Sequence, residues 1–245
     1  MKHILVLGAL SDIAMAIVKR FAREGYGFSL AALRNDSHHL DVFKNVIEKK
    51  YLSIIHLYYF DALDFASHQS FYNSLIIKPD VVLCAFGYIG DHSNAEINFN
   101  EAQKIIYTNF VGAVSILNII AIDFKKRKQG IIIGISSITG DRGRQQNYFY
   151  GSAKAGFTHY LDSLRNKLFN YNVHVMTIKP GFVTTKMLPT HLSPKIITST
   201  PEKVAEDVYR AFLKKKNILY TPWYWRYLMF ILRSIPEPLF KRMKV

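Results

Sequence analysis

The chain has 245 residues, of which 49% are hydrophobic and 20% charged, so it is long and apolar enough to bury a sizeable core and is not a disordered polymer. Its single cysteine, Cys84, excludes an internal disulfide framework and suits a reducing compartment. The 9 histidines have no His-x-x-x-His spacing and no Cys-x-x-Cys pair occurs, so no metal site is predicted.

The formal net charge of +14 is unevenly spread, because residues 203–245 carry ten Lys or Arg against three acids. Nucleic acid, an anionic membrane and an anionic substrate are the partners that such a surface suits, and a solvated basic face is the simpler interpretation. No RNP sequence or zinc finger is present, so no nucleic-acid partner is predicted.

Apolar strand-like segments alternate with segments of helical spacing along the whole chain. Strands are predicted at residues 3–7, 28–32, 54–59, 81–85, 130–135 and 173–178, with a last one near 217–220. Helices are predicted at residues 13–24, 40–50, 67–75, 101–126 and 150–169. This alternation favours a doubly wound α/β fold, a parallel Rossmann sheet covered on both faces.

No linker, repeat or low-complexity segment is evident, so residues 1–245 are predicted to form one domain with a basic, aromatic C-terminal tail at 220–245. The apolar start is too short for a signal peptide and leads directly into a turn and an amphipathic helix. No run of about 18 apolar residues predicts a spanning helix, and a cytoplasmic location is expected.

A strand, turn and helix at the N-terminus predict a nucleotide-binding loop. The predicted contacts to the cofactor here are Gly8, Leu10, Ser11, Asp12 and Ile13. Only Gly8 of the usual three glycines is kept, because Asp12 and Ala14 occupy the other two places. The Asp12 carboxylate either repels the phosphate or caps the helix.

Two further positions bear on the adenosine end of the cofactor. Asp61, followed by Ala62, comes after the third predicted strand and is expected to accept the adenine amino group, with a turn-forming Asp as the alternative. Arg34 follows the second strand, which lacks a carboxylate for the ribose 2′-hydroxyl. Arg34 therefore favours NADP over NAD, although an ordinary exposed Arg explains it equally well.

Tyr150 and Lys154 are four residues apart and so lie on one face of the predicted helix. An ammonium near a phenol is expected to lower the pKa of the phenol, so that it exchanges a proton with a carbonyl or alcohol near neutral pH. Ser137 follows the fifth predicted strand and precedes Tyr150 by thirteen residues. Together these residues predict carbonyl–alcohol chemistry.

The combined pattern resembles the short-chain dehydrogenase/reductase family over almost the whole chain. Ser137, Tyr150 and Lys154 match its catalytic serine, tyrosine and lysine, and Asn109 matches its catalytic asparagine. The resemblance implies that Tyr150 supplies the proton, that Lys154 binds the nicotinamide ribose, that Ser137 donates to the carbonyl oxygen and that Asn109 holds a water chain. It also implies a homodimer or homotetramer formed through the two long helices.

The resemblance adds further cofactor contacts to those predicted from the nucleotide loop. They are Ala85, Phe86, Gly87, Tyr150, Lys154, Pro180, Gly181, Val183 and Thr185. Where the family commonly has Asn-Asn-Ala-Gly, this chain has Cys84-Ala-Phe-Gly87, which is a departure from the pattern.

Residues 60–64, 85–91, 136–142, 147–156 and the tail resemble more closely the branch of this family that reduces a keto-sugar carried on a polyprenyl phosphate. That resemblance implies a lipid-linked sugar substrate and a flavin oxidase partner that supplies the ketone. A general NADPH-linked ketoreductase acting on an acyl thioester or another small molecule is one alternative, and a non-catalytic nucleotide-binding scaffold is another.

The tail interleaves aromatic with basic residues, a composition typical of a membrane headgroup interface. Its aromatic members are Trp223, Tyr224, Trp225, Tyr227, Phe230 and Phe240, and its basic members include Arg226, Arg233, Lys241 and Arg242. Two interpretations remain open: peripheral contact with the inner face of the plasma membrane or a bound lipid, and folding onto the substrate loop or a dimer partner. Lys186 and Arg142 are predicted to meet a lipid phosphate.

Overall fold

The computed structural model describes residues 2–187 and 197–243, and a parallel sheet of seven strands forms its centre. The strands are β1 (His3–Leu7), β2 (Gly27–Ala32), β3 (Ile55–Tyr59), β4 (Val81–Cys84), β5 (Gly130–Ile135), β6 (Val173–Pro180), β7 (Phe182–Val183), β8 (Thr198–Ser199) and β9 (Ile218–Thr221). Their order in the main sheet is β3-β2-β1-β4-β5-β6-β9, and all neighbours pair in parallel. Strands β7 and β8 form a separate parallel pair.

Helices cover both faces of this sheet. They are α1 (Asp12–Ala22), α2 (Ser37–Tyr51), α3 (His68–Ser74), α4 (His92–Ile97), α5 (Phe99–Ile106), α6 (Gly112–Arg127), α7 (Tyr148–Leu168), α8 (Pro201–Leu213), α9 (Trp225–Ser234) and α10 (Glu237–Phe240). In β1, Ile4 and Val6 join the core under α1, α2 and α8, whereas Leu5 joins the core under α3, α6 and α7. Because β1 is buried on both sides, all five of its residues are apolar or internally hydrogen-bonded, which explains the continuous apolar run.

The predicted doubly wound sheet is confirmed, and every predicted strand is present with ends that differ by two residues at most. The helix predicted at 101–126 is divided, because a π-helical turn at Tyr107–Val111 separates α5 from α6. Helices α4, α8, α9 and α10 were not predicted. Helix α8 has two recognisable start signals, Pro201 in its first turn and Thr200 as the N-cap that accepts a hydrogen bond from the Lys203 N–H.

The helical stretch Phe99–Arg127 is long and apolar enough, by length and composition, to cross a membrane. Its buried side chains, which include Ile116, Ile120 and Phe124, pack into the core beneath the sheet. This is the packing of a core helix, and its apolar composition follows from that position.

The strand order reverses between β1 and β4, since the chain runs outward through β2 and β3 on one side and through β5 and β6 on the other. At such a switch point the loops after the strands diverge and leave a crevice at the carboxyl ends of β1 and β4. The fold therefore places the crevice next to the loops that hold the predicted site residues.

The C-terminal tail packs against the end of the sheet through α9. Trp225 and Met229 are buried together with Ile138, which follows β5. Phe182 packs edge-on against Trp225 with ring centroids 5.5 Å apart, and a side chain at Gly181 would overlap the Trp225 ring. The inner face of the tail is thus folded onto the segments after β5 and β6, as one of the two interpretations predicts.

Candidate active site

The turn after β1 is held close to the neighbouring strand end. Gly8 has φ +81°, and a Cβ there would lie 2.5 Å from the backbone nitrogen of Phe86, so only glycine fits. The N–H groups of Gly8 and Ala9 donate to the Ala31 carbonyl. The first N–H groups of α1 have no intrahelical acceptors, so they remain available for an anion at the crevice.

A cavity of about 710 Å³ occupies the switch point. It is lined by residues that include Gly8, Leu10, Ser11, Asp12, Ile13, Asp61, Ala62, Ala85, Phe86 and Gly87. A second cavity of about 160 Å³ shares Ser11, Ile13, Ala85, Phe86, Gly87, Thr185 and Met187 with the first and adds Pro180, Gly181 and Val183. The two cavities adjoin, and every predicted cofactor contact except Arg34 lines at least one of them.

The size of the larger cavity, the glycine turn and the helix N-terminus suit a dinucleotide, whose pyrophosphate the first N–H groups of α1 would hold. Repulsion of the phosphate by Asp12 stays a prediction, but Asp12 does not cap the helix. Its Oδ2 accepts a hydrogen bond of 2.7 Å from the backbone N–H of Lys186, and the N-cap Ser11 makes no side-chain cap bond. The carboxylate therefore joins the nucleotide loop to the segment after β7.

Arg34 lies apart from the cavity, with its guanidinium 4.7 Å above the ring of Tyr59. Leu33 and Asp36 line the cavity at this end instead, and sequence reasoning missed both. Asp61 lines the larger cavity, in which its contact with adenine is predicted. Its Oδ1 also accepts a hydrogen bond of 2.9 Å from the Leu63 N–H, as expected of a turn-forming Asp. A carboxylate at position 36 was hidden from sequence reasoning, because the 3₁₀ turn after β2 brings it back toward the crevice.

Ser137, Tyr150 and Lys154 all line the smaller cavity. Strand β5 ends just before Ser137, and α7 presents Tyr150 and Lys154 one turn apart on the face toward it. Lys154 is buried at 3% exposure, and its Nζ donates to the Ile135 carbonyl at 3.1 Å. The structure therefore brings together Ser137, Tyr150 and Lys154, the three residues that the sequence pattern indicated.

The predicted lowering of the Tyr150 pKa is wrong for this structure. Burial raises the pKa of the Tyr150 phenol, and burial also lowers the pKa of the Lys154 amine to about 8. The ammonium lies 5.6 Å from the centre of the Tyr150 ring and is bound by the Ile135 carbonyl, so desolvation dominates. Tyr150 therefore stays protonated at neutral pH.

The hydroxyl of Ser137 is oriented by Thr139, which sequence reasoning missed. Ser137 Oγ accepts from the Thr139 N–H at 3.1 Å and from the Thr139 hydroxyl at 2.8 Å. A serine hydroxyl has two acceptor positions and one proton to donate. With both acceptor positions engaged, the Ser137 proton is left to donate, and Ser137 and Thr139 both line the cavity.

Asn109 lies within the π-helical turn and is almost fully buried. Its Nδ2 donates to the carbonyls of Tyr88 at 2.5 Å and Ile105 at 2.8 Å, and its Oδ1 accepts from the Tyr88 N–H at 3.2 Å. A Cβ at Gly87 would lie 2.9 Å from Asn109 Oδ1 and 3.5 Å from Lys154 Nζ. Asn109 thus fixes the loop after β4 beside Lys154, one layer behind the cavity wall.

Arg142, which was predicted to meet a lipid phosphate, instead binds residues of the C-terminal tail. Its guanidinium donates to the carbonyls of Arg233 and Ile235, pairs with Glu237 at 2.8 Å and stacks over Phe240 at 4.1 Å. Arg142 therefore clamps the tail to the loop after Ser137. Lys186 lines the larger cavity on the cofactor side.

A buried ion pair lies beneath the same loop. Lys179, at the end of β6, donates to Asp141 Oδ1 at 2.5 Å, and the hydroxyl of Tyr220 donates to Asp141 Oδ2 at 2.7 Å. The Lys179 and Asp141 side chains are 7% and 3% exposed. This network joins the Ser137 loop, β6 and β9.

The family model described as short chain dehydrogenase matches residues 2–195. An uncharacterized oxidoreductase of Mycobacterium tuberculosis is 29% identical over 243 residues, which cover 98% of this chain and 96% of the relative. An uncharacterized oxidoreductase of Streptomyces coelicolor is 30% identical over 247 residues, which cover 100% of this chain and 96% of the relative.

Solved structures share the same architecture. A short-chain dehydrogenase from Sphingobium yanoikuyae in complex with NADPH superposes with a TM-score of 0.85 at 17% identity and covers 100% of this chain and 97% of its own. An alcohol dehydrogenase from Thermococcus sibiricus complexed with 5-hydroxy-NADP has a TM-score of 0.77 at 22% identity, covering 97% and 99%. At these identities the likeness shows the fold. Since the family model spans residues 2–195 of the 245, this chain belongs to the short-chain dehydrogenase family and is an NAD(P)-dependent oxidoreductase.

Proposed function

We propose that this oxidoreductase reduces the ketone of a keto-sugar carried on a polyprenyl phosphate, with NADPH as the reductant. The sequence stretches that resemble decaprenylphosphoryl-2-keto-erythro-pentose reductase, the tail above all, suggest this substrate class. The observation that carries the reaction is one small cavity in which Ser137, Tyr150 and Lys154 meet beside a crevice of dinucleotide size. A reduced nicotinamide bound there supplies the hydride.

The three side chains have separate roles in this proposal. Tyr150, which is protonated at neutral pH, gives its proton to the oxygen of the reduced carbonyl. Ser137 donates a hydrogen bond to the same oxygen, where negative charge develops. Lys154 binds the ribose next to the nicotinamide, and Asn109 holds the loop beside it and supports the water chain that resupplies the proton.

NADPH is proposed because the Sphingobium neighbour is a complex with NADPH, although Arg34, the residue predicted to favour NADP, lies outside the cavity. The Asp36 carboxylate, which lines the crevice, works against a 2′-phosphate. Both cofactors therefore belong in the first assay.

A reduction assay with a short-chain analogue tests the function. Purified protein is mixed with NADPH or NADH and a farnesylphosphoryl 2-keto-pentose, and the alcohol product is identified by mass spectrometry. We expect product with the wild type and a loss of at least about a hundredfold in Tyr150→Phe, the low end of what general acid catalysis contributes. Equal turnover by Tyr150→Phe would refute the proposed chemistry.

A second candidate is reduction of an acyl thioester. It is favoured by a relative of Nostoc, a ketoacyl reductase, that is 30% identical over 145 residues, which cover 57% of this chain and 50% of the relative. The same assay with an acetoacetyl thioester separates the two functions, because the preferred substrate has the higher kcat/KM.

We further propose that the outer face of the tail contacts the anionic cytoplasmic leaflet. This face combines large exposed apolar side chains with cations. It consists of Trp223, Tyr227, Phe230 and Ile231, exposed at 71%, 61%, 72% and 59%, with Arg226 and Arg233 beside them. Aromatic and basic residues together suit the headgroup region of a bilayer, and a lipid-linked substrate lies in that region.

Vesicle flotation tests the membrane contact. Phe230→Ser with Ile231→Ser is expected to lower binding to phosphatidylglycerol vesicles by at least about tenfold, since two large apolar side chains leave the interface. The matched control is Ile76→Ser with Phe169→Ser, two positions exposed at 74% and 79% outside the tail. Equal loss in both variants, or none in either, would remove the proposal.

The proposed pathway also needs an oxidation that supplies the ketone, for which the resemblance implies a flavin oxidase as partner. Joint incubation of this protein with such an oxidase and a polyprenylphosphoryl pentose is expected to give the 2-epimer. A homodimer or homotetramer through α5, α6 and α7 is proposed on the same ground, and sedimentation analysis measures it.

A further inference from the structure

Arg144 lies in the loop between Ser137 and Tyr150, and its guanidinium forms no ion pair with an acid among residues 2–187 and 197–243. The same loop holds Asn147, which lines the smaller cavity. Arg144 Nη2 lies 4.0 Å from Met229 Sδ, and a thioether is a weak acceptor. Met229 belongs to the buried face of α9, in one cluster with Ile138, and Ile138 also lines the cavity.

The acidic side chains of Asp141 and Glu237 already bind other residues. Asp141, whose charge acts on Arg144, binds Lys179 and Tyr220 with its two oxygens. Glu237 pairs with Arg142. Residues 188–196, outside the described ranges, include neither Asp nor Glu.

The position of Arg144 is unfavourable for an unpaired cation. Burial lowers the pKa of its guanidinium, because the charge is partly removed from water. Arg144 is nevertheless only half-buried, so part of the residue faces solvent. A partly desolvated guanidinium with accessible N–H groups binds a phosphate or carboxylate through two parallel hydrogen bonds.

We propose that Arg144 binds the phosphate of the substrate, as a phosphate-ester anion held between the loop before α7 and the inner face of α9. The proposal rests on the function proposed above and names the residue that binds the charged part of that substrate. In a sugar linked to a lipid phosphate, the phosphate is attached next to the reacting carbon, so its binding residue has to lie beside the catalytic cavity. Arg144 itself lines neither cavity, but its loop lies between Ile138 and Asn147, which line the smaller one, and its contact Met229 packs with Ile138.

Calorimetric titration with farnesyl phosphate tests this site without catalysis. The wild type is expected to bind farnesyl phosphate and to bind the neutral farnesol at least about tenfold more weakly, since a hydrogen bond to a charged group is lost. Arg144→Gln is expected to weaken farnesyl phosphate binding about ten- to hundredfold and to leave farnesol binding unchanged. Arg144→Lys keeps the charge without the planar fork and is expected to fall between.

The matched control is Arg23→Gln, which removes an exposed arginine at the end of α1 and is expected to bind farnesyl phosphate like the wild type. Equal affinity of the wild type for farnesyl phosphate and farnesol overturns the proposal, whether or not the variants fold. Equal affinity of wild type and Arg144→Gln for farnesyl phosphate also overturns it.

Two further arms separate the alternatives. If Arg144→Gln loses binding to phosphatidylglycerol vesicles but keeps farnesyl phosphate binding, Arg144 binds a membrane headgroup, and its assignment to the substrate phosphate is wrong. If farnesyl phosphate binding depends on Arg144 but no polyprenylphosphoryl keto-sugar is reduced, the phosphate site stands and the proposed function fails. If the keto-sugar lipid is reduced with an unchanged KM in Arg144→Gln, the function stands and the phosphate site fails.

Discussion

Asp12 Oδ2 accepts a hydrogen bond of 2.7 Å from the backbone N–H of Lys186, which is 174 residues away along the chain. Both residues line the larger cavity, so the bond connects the two walls of the cofactor crevice. The position that holds a second glycine in the usual fingerprint is therefore used here to connect the nucleotide loop to the segment that follows β7.

The first prediction concerns the charge of Asp12. Asp12→Asn keeps an acceptor for the Lys186 N–H but removes a negative charge near the pyrophosphate. It is expected to lower the Kd of NADP about three- to tenfold at low salt, because a like-charge interaction of about 1 kcal/mol is removed. Fluorescence titration measures this, and the difference from the wild type should shrink at high salt. An equal Kd at low salt would mean that the carboxylate is too distant to act on the cofactor.

The second prediction concerns cofactor choice at Asp36, which lines the adenosine end of the crevice. Asp36→Asn removes the carboxylate that repels a 2′-phosphate and is expected to raise kcat/KM for NADPH relative to NADH about five- to fiftyfold. The control is Asp41→Asn, an exposed acid on α2 outside the residues that line the crevice. An unchanged ratio in Asp36→Asn would contradict the prediction.

The third prediction concerns the buried amine of Lys154. Its pKa in the folded protein is about 8 instead of 10.5, so between these values the unfolded chain binds a proton that the folded chain lacks. The free energy of unfolding of the wild type therefore rises with pH across that window. Lys154→Met should be more stable than the wild type at about pH 7 by about 1–3 kcal/mol and should lack the rise.

Urea unfolding at about pH 7 and about pH 10 measures this effect, and the advantage of Lys154→Met should be smaller at the higher pH. The same variant is expected to lose reductase activity. Lower stability of Lys154→Met at both pH values would mean that the hydrogen bond to Ile135 outweighs the burial of the charge.

The fourth prediction concerns the orientation of Ser137. Thr139→Val removes the hydroxyl that donates to Ser137 Oγ at 2.8 Å but keeps the backbone N–H bond. It is expected to lower kcat about three- to tenfold, the cost of about 1 kcal/mol for one hydrogen bond, with little change in KM for the cofactor. Thr139→Ser restores the hydroxyl and should restore kcat. If Thr139→Ser is as slow as Thr139→Val, the methyl group and not the hydroxyl matters.

The fifth prediction concerns the buried pair between Lys179 and Asp141. Asp141→Asn leaves the Lys179 ammonium buried without a counter-charge and is expected to destabilise the protein by about 3–5 kcal/mol. Lys179→Met with Asp141→Leu removes both charges and should be closer to the wild type in stability. Thermal unfolding at neutral pH compares the three proteins, and a double variant less stable than Asp141→Asn would contradict this reasoning.

Much of this architecture could be predicted from local pattern. Strand β1 is recognisable because five successive buried residues on a doubly covered strand form a continuous apolar run. The proximity of Tyr150 and Lys154 follows from helical spacing alone, and the place of Ser137 follows from the end of β5. These features depend on neighbours a few residues away.

The remaining features depend on contacts between distant segments. The Tyr150 pKa is raised by burial, and part of that burial comes from Ala102 and Ile105 on α5. The roles of Asp12 and Arg142 depend on Lys186 and on the tail, partners that no spacing rule links to them. Arg34 was assigned from its distance to β2 alone, whereas the following 3₁₀ turn decides which side chain faces the crevice.

Because Trp225 and Met229 complete the packing around Ile138, helix α9 supports the wall of the smaller cavity and cannot be treated as a detachable anchor. A truncated chain would expose Ile138 and release the Arg142 clamp, so lost activity after truncation would report damage to the cavity as readily as lost membrane contact. Substitutions at inward-facing tail positions such as Met229 would therefore act on the smaller cavity indirectly, through Ile138.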